Sequence, residues 1–313
     1  MGVDFIMMNN CVNLINKDFF KTSHIDISKS GKYMVRSGLY KIFLTEFETN
    51  KRINAVKGYG YIINGISNDD KYCVFTSNGE ERINILSLPD FKEVAYLDTD
   101  YVTNLKFCSD SEVMYFSVKP GTREYALKVW NFITGEIKTM FNNHNPGFAA
   151  TTCYLVDDSM YLTSCAEERI NGRYVYEKGK YSIFCSNSLS EFSINGKYDF
   201  RSVSQPNNNR VLISKHTDDD KYIIGVYDLV AEVFTPIIKR DNDQLFIFWL
   251  SDDLFLFSES EKTGVTPQQT GIMNLKGEIT TLVDDFTNIA PCSNDKYLLC
   301  YNPGGTYLFE KRF

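Results

Sequence analysis

Long apolar runs, tryptophan and histidine are scarce in this chain. Its 313 residues include only 2 Trp and 3 His, and no apolar stretch approaches the roughly 18 residues that a membrane-spanning helix needs. The eight cysteines never form a Cys-x-x-Cys pair, which argues against zinc-ribbon and thioredoxin-like sites. The sequence also lacks the G-x-S-x-G motif of the α/β-hydrolase nucleophile elbow and the H-E-x-x-H motif of the zinc-binding helix in metalloproteases.

Positive charge is also in short supply. The net charge is -7 and the isoelectric point is near 5.2, which argues against nucleic acids and anionic membranes as general partners. The cysteines mostly lie inside apolar runs, and no Asn-x-Ser/Thr sequon occurs. The first ten residues lack the basic and apolar regions of a signal peptide. We therefore expect reduced thiols and a cytoplasmic location.

Strand-forming residues are abundant. The chain has 23 Phe and 20 Tyr, and 43% of its residues are hydrophobic. The apolar residues alternate, or run in short blocks, between clusters of Asn, Asp, Gly and Ser. This pattern is typical of β-strands joined by polar turns. Trp249 belongs to one such block and is predicted to lie in the core rather than to form a ligand platform.

One sequence pattern recurs along the chain: an apolar strand, a small polar residue, a polar turn and a second apolar strand. The segments 25–35 and 65–75 show it most clearly. The small polar anchors recur every 40 to 50 residues or so, at Ser28, Ser67, Ser109, Asp157, Ser204, Ser251 and Ser293. A repeat of this length made only of strands indicates blades of four antiparallel strands.

The repeat also predicts how the chain closes. Residues before Ser28 and after Ser293 together make up one further period, so one unit is split between the two ends. A closed ring needs such a split, because an N-terminal strand then completes the last blade and removes free sheet edges. The sequence therefore predicts an all-β, seven-bladed β-propeller as a single domain over 1–313. Residues 11–20 are assigned as the closing strand, and the role of residues 3–8 is left open.

Two motifs resemble those of the WD-repeat family. Val129-Trp130-Asn131-Phe132, followed by Thr134-Gly135-Glu136, resembles its strand-turn-strand, with Asn131 where the family prefers Asp. Ser28 to Tyr33 resembles the inner hairpin of WD-repeat and related propellers. No Gly-His pair occurs, so the family's His-Ser-Asp-Trp hydrogen-bond network should be absent. The resemblance implies a degenerate, WD40-like propeller and a role as a protein-interaction scaffold.

The longest loops predict a binding face. If the blade strands are lettered a to d from the inside outwards, the a–b and c–d turns are short, whereas the b–c connections at 118–124, 165–179 and 259–268 are long. Long loops on a rigid scaffold commonly carry binding. Within 165–179, Asn171-Gly172 predicts a hairpin, which is either a recognition arm or a solvated insertion. The arm would bind a protein partner through Glu167, Glu168, Arg169, Arg173, Tyr174 and Tyr176.

An alternative function uses the acidic d–a loops, which would approach the mouth of the channel. A small-molecule or cation-binding enzyme of the lactonase type would place a site there, formed by Asp98, Asp100, Asp241, Asp243, Asp284 and Asp285. Carbohydrate binding through Tyr59, Tyr61 and Tyr101 is a third hypothesis. We favour the non-catalytic scaffold, with no cofactor, no resident metal and a monomeric chain that binds a protein partner.

Overall fold

The computed structural model describes residues 12–16, 24–37, 41–57, 61–77, 81–119, 125–143, 148–156, 159–166, 168–170, 173–175, 178–185, 188–195, 198–199, 204, 207–217, 219, 221–240, 244–260, 267–281, 288–291, 294, 296–302 and 305–311. Across these ranges the regular elements are β-strands, in agreement with the predicted all-β class. Within them, no helix has the length and hydropathy to cross a bilayer.

The described strands form seven four-stranded antiparallel sheets, numbered here in chain order, and one separate two-stranded sheet. Sheet 1 contains β2 (His24–Ile27), β3 (Tyr33–Ser37), β4 (Lys41–Glu46) and β5 (Arg52–Lys57). Sheet 2 contains β6 (Tyr61–Ile66), β7 (Tyr72–Ser77), β8 (Arg82–Ser87) and β9 (Glu93–Asp98). Sheet 3 contains β10 (Tyr101–Phe107), β11 (Glu112–Val118), β12 (Tyr125–Asn131) and β13 (Ile137–Asn143).

The next three sheets follow the same order of strands. Sheet 4 contains β14 (Phe148–Val156), β15 (Ser159–Ala166), β18 (Lys178–Cys185) and β19 (Ser188–Asn195). Sheet 5 contains β20 (Tyr198–Asp199), β21 (Arg210–His216), β22 (Tyr222–Asp228) and β23 (Val233–Arg240). Sheet 6 contains β24 (Gln244–Trp249), β25 (Leu254–Ser260), β26 (Pro267–Asn274) and β27 (Ile279–Thr281).

Sheet 7 combines the two ends of the chain. It contains β28 (Asn288–Pro291), β29 (Tyr297–Asn302) and β30 (Gly305–Lys311), and its outermost strand is β1 (Val12–Asn16). β1 pairs antiparallel with β30, from Val12 opposite Lys311 to Asn16 opposite Leu308. β1 lies within the predicted segment 11–20, whereas residues 3–8 and 17–20 lie outside the described residues.

The second strand of a sheet is buried on both of its faces, as β7 in sheet 2 illustrates. In β7, Cys73, Val74 and Phe75 are all buried. Cys73 and Phe75 belong to a core shared with sheet 1, whereas Val74 belongs to a core shared with sheet 3. Both faces of the sheet are therefore covered by neighbouring sheets, which explains why these strands read as continuous apolar blocks.

Equivalent cores join other neighbouring sheets. Sheets 4 and 5 share a core that includes Ile194 and Val211, and sheets 5 and 6 share one that includes Leu212 and Phe255. Trp249 lies in the latter core, with 6% of its surface exposed and the Arg210 guanidinium over its ring. The prediction that Trp249 packs in the interior is therefore confirmed.

The repeating serine has a local structural role. The Ser28 hydroxyl accepts a hydrogen bond from the Tyr33 backbone N–H at 3.0 Å, and Ser67 does the same for Tyr72 at 2.9 Å. Ser204 likewise accepts from Leu212 at 2.9 Å. All three serines are fully buried. The hydroxyls of Ser28 and Ser67 satisfy the first amide of the b strand, and that of Ser204 satisfies the third, which explains why small polar residues recur there.

The c–d turns use a second polar cap. The Asn131 side-chain oxygen accepts from the backbone N–H groups of Ile133 and Thr134, at 3.1 and 3.0 Å. Gly135 then adopts a φ of 78°, which is favourable for glycine and costly for most other residues. Asp228 and Asn274 cap the equivalent turns of sheets 5 and 6. The predicted Thr-Gly turn is thus confirmed.

Sheets 7 and 1 are in direct contact. Asn294, which is 4% exposed, donates from its side-chain amide to the backbone oxygens of Ser28 and Lys29, each at 3.1 Å. Leu308 of sheet 7 packs in a core with Ile27 and Met34 of sheet 1. These contacts support the predicted closure. The seven four-stranded sheets equal the predicted units in number, and their arrangement as a closed seven-bladed ring stays a prediction.

We predict that Ser67→Ala lowers the free energy of unfolding by about 1 to 2 kcal/mol, because the Tyr72 N–H would lose the acceptor that the buried Ser67 hydroxyl provides. Urea denaturation would measure the change. Thr49→Ala is the control, since that exposed hydroxyl caps a turn at 3.3 Å, and it should change stability by less than about 0.5 kcal/mol. Equal losses in the two variants would contradict the assigned role of the buried serine.

We predict a larger effect for Asn294→Ala. The variant removes both donations to sheet 1 and the bond that the Asn294 side-chain oxygen accepts from Lys296 N–H at 3.0 Å, for a loss of about 2 to 3 kcal/mol. Asn207→Ala is a matched control, because its amide reaches Ser251 O of the next sheet at only 3.5 Å. Equal destabilisation of the two variants in thermal unfolding would contradict a larger stabilising role for the Asn294 hydrogen bonds between sheets 7 and 1.

Candidate functional site: the end of the sheets that carries the hairpin arm

The b–c connection of sheet 4 forms a separate β-hairpin. β16 (Glu168–Ile170) and β17 (Arg173–Val175) pair only with each other, as a two-stranded antiparallel sheet between β15 and β18. The register places Ile170 opposite Arg173, as a two-residue turn at Asn171-Gly172 requires. We call residues 167–177 the arm. The predicted hairpin is therefore present in the fold.

The structure places four of the six predicted contact residues on these two strands. Glu168 and Arg169 belong to β16, and Arg173 and Tyr174 belong to β17. Arg169 is opposite Tyr174, and Glu168 is opposite Val175. Glu167 and Tyr176 lie outside the described residues. The hairpin therefore brings the four residues together along a short ladder, and their role in binding stays a prediction.

The a–b and c–d turns share one end of the sheets. The Leu88 N–H in the c–d turn of sheet 2 donates to Lys71 O in its a–b turn, at 2.6 Å. The same bond recurs in sheet 6, where Leu275 N–H donates to Asp253 O at 3.2 Å. Because successive strands are antiparallel, the b–c and d–a connections must lie at the opposite end. The arm is one of these b–c connections.

At the end of the sheets that carries the a–b and c–d turns, side chains connect neighbouring sheets. The Arg210 guanidinium donates to Asp252 O of the next sheet at 3.2 Å. In addition, the hydroxyl of Ser30 in sheet 1 donates to the carboxylate of Asp70 in sheet 2. These contacts, with those of Asn294, give this end a structural role. The opposite end is the better candidate for binding.

Two of the six channel-mouth acids lie in the described part of the chain. Asp98 ends the outermost strand of sheet 2, with its side chain 75% exposed and 3.8 Å from Arg82 Nε. Asp100 accepts a hydrogen bond from Ser117 in sheet 3 at 3.4 Å. Asp241, Asp243, Asp284 and Asp285 fall outside the described residues.

Metal and carbohydrate sites gain no further support from the described residues. Among them, no group of three or more His, Cys, Asp or Glu could hold a metal ion. Tyr101 is 56% exposed, Tyr61 begins β6, and Tyr59 lies outside the described ranges. Both the channel-mouth site and the carbohydrate surface therefore stay predictions.

The buried Cys73 is unsuited to nucleophilic catalysis. Cys73 is a free thiol with 1% of its surface exposed, and it packs between sheets 1 and 2. Burial raises the pKa of the Cys73 thiol far above its ordinary value, so the reactive thiolate is not formed at neutral pH. Cys73 is a core residue, as the sequence predicts for cysteines in apolar runs.

An ion pair at the arm-bearing end has no signature in the sequence. Asp219, in the b–c turn of sheet 5, lies 2.7 Å from Lys239 Nζ and accepts a hydrogen bond from the Thr217 hydroxyl at 2.6 Å. These donors, with Lys239 the stronger, lower the pKa of Asp219 to about 2. Lys239 lies on β23, and Asp219 lies in the turn before β22. The two residues come together only through the register of β22 with β23.

Comparisons with known proteins identify the fold. No family model matches the chain, and no curated protein sequence matches it. Solved structures do match. The Cps50 (Swd1) β-propeller domain of Myceliophteria thermophila has a TM-score of 0.59 at 9% identity, over 96% of this chain and 99% of that one. The C-terminal WD40 domain of Sif2 has a TM-score of 0.58 at 11% identity, over 95% and 84%.

Dipeptidyl peptidase 4 of Porphyromonas gingivalis also matches, with a TM-score of 0.58 at 12% identity, over 92% of this chain and 50% of the peptidase. These likenesses show the fold alone. The resemblance seen in the sequence is confirmed at that level, and the chain has a WD40-like β-propeller fold.

We predict that Asp219 titrates near pH 2 in the folded protein and that Lys239→Ala moves its pKa back towards the ordinary value near 4. Because the folded pKa is lowered, the pair contributes stability above about pH 4 and loses it as the pH falls towards 2. NMR titration of the side-chain carboxyl would measure both values. A wild-type pKa near 4, unchanged in the variant, would contradict the ion pair in solution.

Proposed function

We propose that this WD40-like β-propeller is a non-catalytic scaffold that binds a partner protein at the end of its sheets bearing the b–c and d–a connections. The arm would make the first contact. The observation that carries the proposal is the separate hairpin between β15 and β18. An ordered element inserted into one loop of a rigid framework is a common form of binding site.

The arm stands out from the equivalent connections. The b–c connections of the first two sheets span 38–40 and 78–81, and that of sheet 7 spans 303–304, whereas the arm spans 167–177. The inserted chain pairs with itself and adds no strand to sheet 4. An element that adds nothing to the framework is better explained by recognition than by stability.

The residue types of the arm suit a protein partner. Arg and Tyr are enriched among the residues that dominate binding energy at interfaces. We propose Arg169, Arg173, Tyr174 and Tyr176 as anchors, with Glu167 and Glu168 setting the charge pattern that a partner must complement. With both signs of charge present, the arm favours a partner surface that is itself mixed in charge.

The rest of the framework would hold the arm in a fixed position. We propose that the seven sheets form a closed seven-bladed ring in which β1 completes the last blade. The support comes from the pairing of β1 with β30 and from the contacts of Asn294 with sheet 1. A closed ring limits the motion of each blade, which lowers the entropic cost of presenting a binding loop.

We predict that replacing residues 167–177 with an Asn-Gly turn strongly reduces capture of the partner, because the shortened chain joins β15 to β18 without the arm. The two baits, intact and shortened, would be compared by quantitative mass spectrometry of captured proteins. A partner that depends on the arm should be reduced about tenfold or more. Arg173→Glu with Tyr174→Ala in the intact arm should reproduce most of the loss.

The control changes the opposite end of the sheets. Ile133 and Val230 are 60% and 68% exposed in the c–d turns of sheets 3 and 5, and Ile133→Ser with Val230→Ser should leave capture unchanged. The proposal fails if the shortened bait, still folded by circular dichroism, retains the same partners as the intact protein. It also fails if the control bait loses them equally.

A further inference from the structure

Among the described strands, the outermost strand of each four-stranded sheet pairs with a neighbour on one side only. These strands are β5, β9, β13, β19, β23, β27 and β1. An open edge presents a row of backbone N–H and C=O groups to which another chain can add as a new strand. Natural proteins therefore block such edges with bulges, short strands, prolines or lysines.

Most outermost strands of this protein carry such a block. The outermost strands of sheets 1, 2, 3 and 5 each contain a one-residue bulge in their ladder. The register leaves an extra residue there, namely Ile53, Val94, Met140 and Ile237 respectively. β23 also contains Pro236. β27 has only three residues, and the ladder of β1 is shifted between Leu14 and Asn16.

β19 is the exception among the described outermost strands. It pairs with β18 in one uninterrupted register of eight residues, from Ser188 opposite Cys185 to Asn195 opposite Lys178. Its sequence, Ser-Leu-Ser-Glu-Phe-Ser-Ile-Asn, contains no proline, lysine or arginine. Glu191 is its one charged residue. This edge lacks the usual blocks against strand addition.

The direction of the backbone groups follows from one contact. The Tyr227 hydroxyl of sheet 5 donates to Ser193 O at 3.4 Å, so this carbonyl points away from β18. In an antiparallel strand the N–H and C=O of one residue point to the same side, and alternate residues point to opposite sides. The backbone groups of Leu189 and Glu191 therefore also point to the open edge. Because Tyr227 covers the Ser193 end, a new strand would add along residues 188–192.

We propose that β19 binds an extended, basic peptide segment of a partner protein as a fifth strand of sheet 4. Main-chain hydrogen bonds to Leu189 and Glu191 would supply the register, and a Lys or Arg of the peptide would face Glu191. A second copy of this chain is a poorer occupant, because its net charge is also -7 and edge-to-edge pairing would bring two Glu191 residues close together. The edge is separate from the arm, so this proposal goes beyond the proposed function.

The molecule itself supplies a probe peptide. β18 already pairs with the other side of β19, and its residues 178–184 carry Lys178 and Lys180. A fluorescein-labelled peptide of that sequence should bind the full chain saturably, with a Kd below about 1 mM by anisotropy. Two further peptides, N-methylated at odd or at even positions, test the backbone pairing without changing the protein. Only one of the two should lose binding, because an added strand uses the donors on one side only.

Variants at Glu191 locate the site. Glu191→Pro removes an outward N–H that the β18–β19 ladder does not use and should weaken binding about tenfold or more. Glu191→Gln keeps the backbone and should weaken it only a few-fold. The chain with a shortened arm should bind the peptide normally, which separates this edge from the arm.

Three outcomes would overturn the proposal. The first is no binding by the intact chain up to about 1 mM peptide. The second is equal binding by both N-methylated peptides. The third is a dimer in light scattering that Glu191→Pro converts to a monomer, since the occupant would then be a second copy. If Glu191→Pro fails to fold, the N-methylated pair still decides between backbone pairing and other modes of binding.

Discussion

The whole structure depends on covering two apolar faces of every sheet. Within β7, Val74 packs against sheet 3, while Cys73 and Phe75 on either side of it pack against sheet 1. Burying each such side chain is worth about 1.5 to 3 kcal/mol, so a sheet exposed on one face would lose the contribution of every apolar side chain on that face. An open stack would leave its first and last sheets exposed in this way. The core that joins Leu308 to Ile27 and Met34 shows that sheets 7 and 1 cover each other.

The same constraint leaves the two ends of the sheets with different kinds of connection. At one end, short turns are capped by Ser28, Ser67, Asn131 and Asp228 and are tied to neighbouring sheets by Asn294 and Arg210. These side-chain contacts between neighbouring sheets give this end a structural role. At the other end, the connections can grow without disturbing the cores, and sheet 4 carries an additional hairpin there. A rigid framework with one variable end suits a protein that presents a binding element.

The sequence predicted the elements that rest on local chemistry. Features such as the recurring serines, the polar caps and the Thr134-Gly135 turn each involve only a few consecutive residues. The repeat and the order of the strands could therefore be predicted from the sequence. The ion pair of Asp219 with Lys239 could not, because it depends on the pairing of β22 with β23 across the sheet. Nor could the neighbour of Asp98, since Arg82 faces it only once β8 and β9 are in register. Phe91 is a further case: a buried aromatic residue at a φ of 59° has no signature in composition.

Cross-linking of native lysines tests the closed ring most directly. Lys29 and Lys296 are exposed in adjoining turns of sheets 1 and 7, where the Asn294 side chain donates to Lys29 O. Lys32 and Lys71 are exposed in the corresponding turns of sheets 1 and 2 and serve as the reference pair. A short amine-reactive reagent applied to the monomer should join Lys29 to Lys296 as efficiently as it joins Lys32 to Lys71. A protein that gives the Lys32–Lys71 product but none between Lys29 and Lys296 would not have the ring described above.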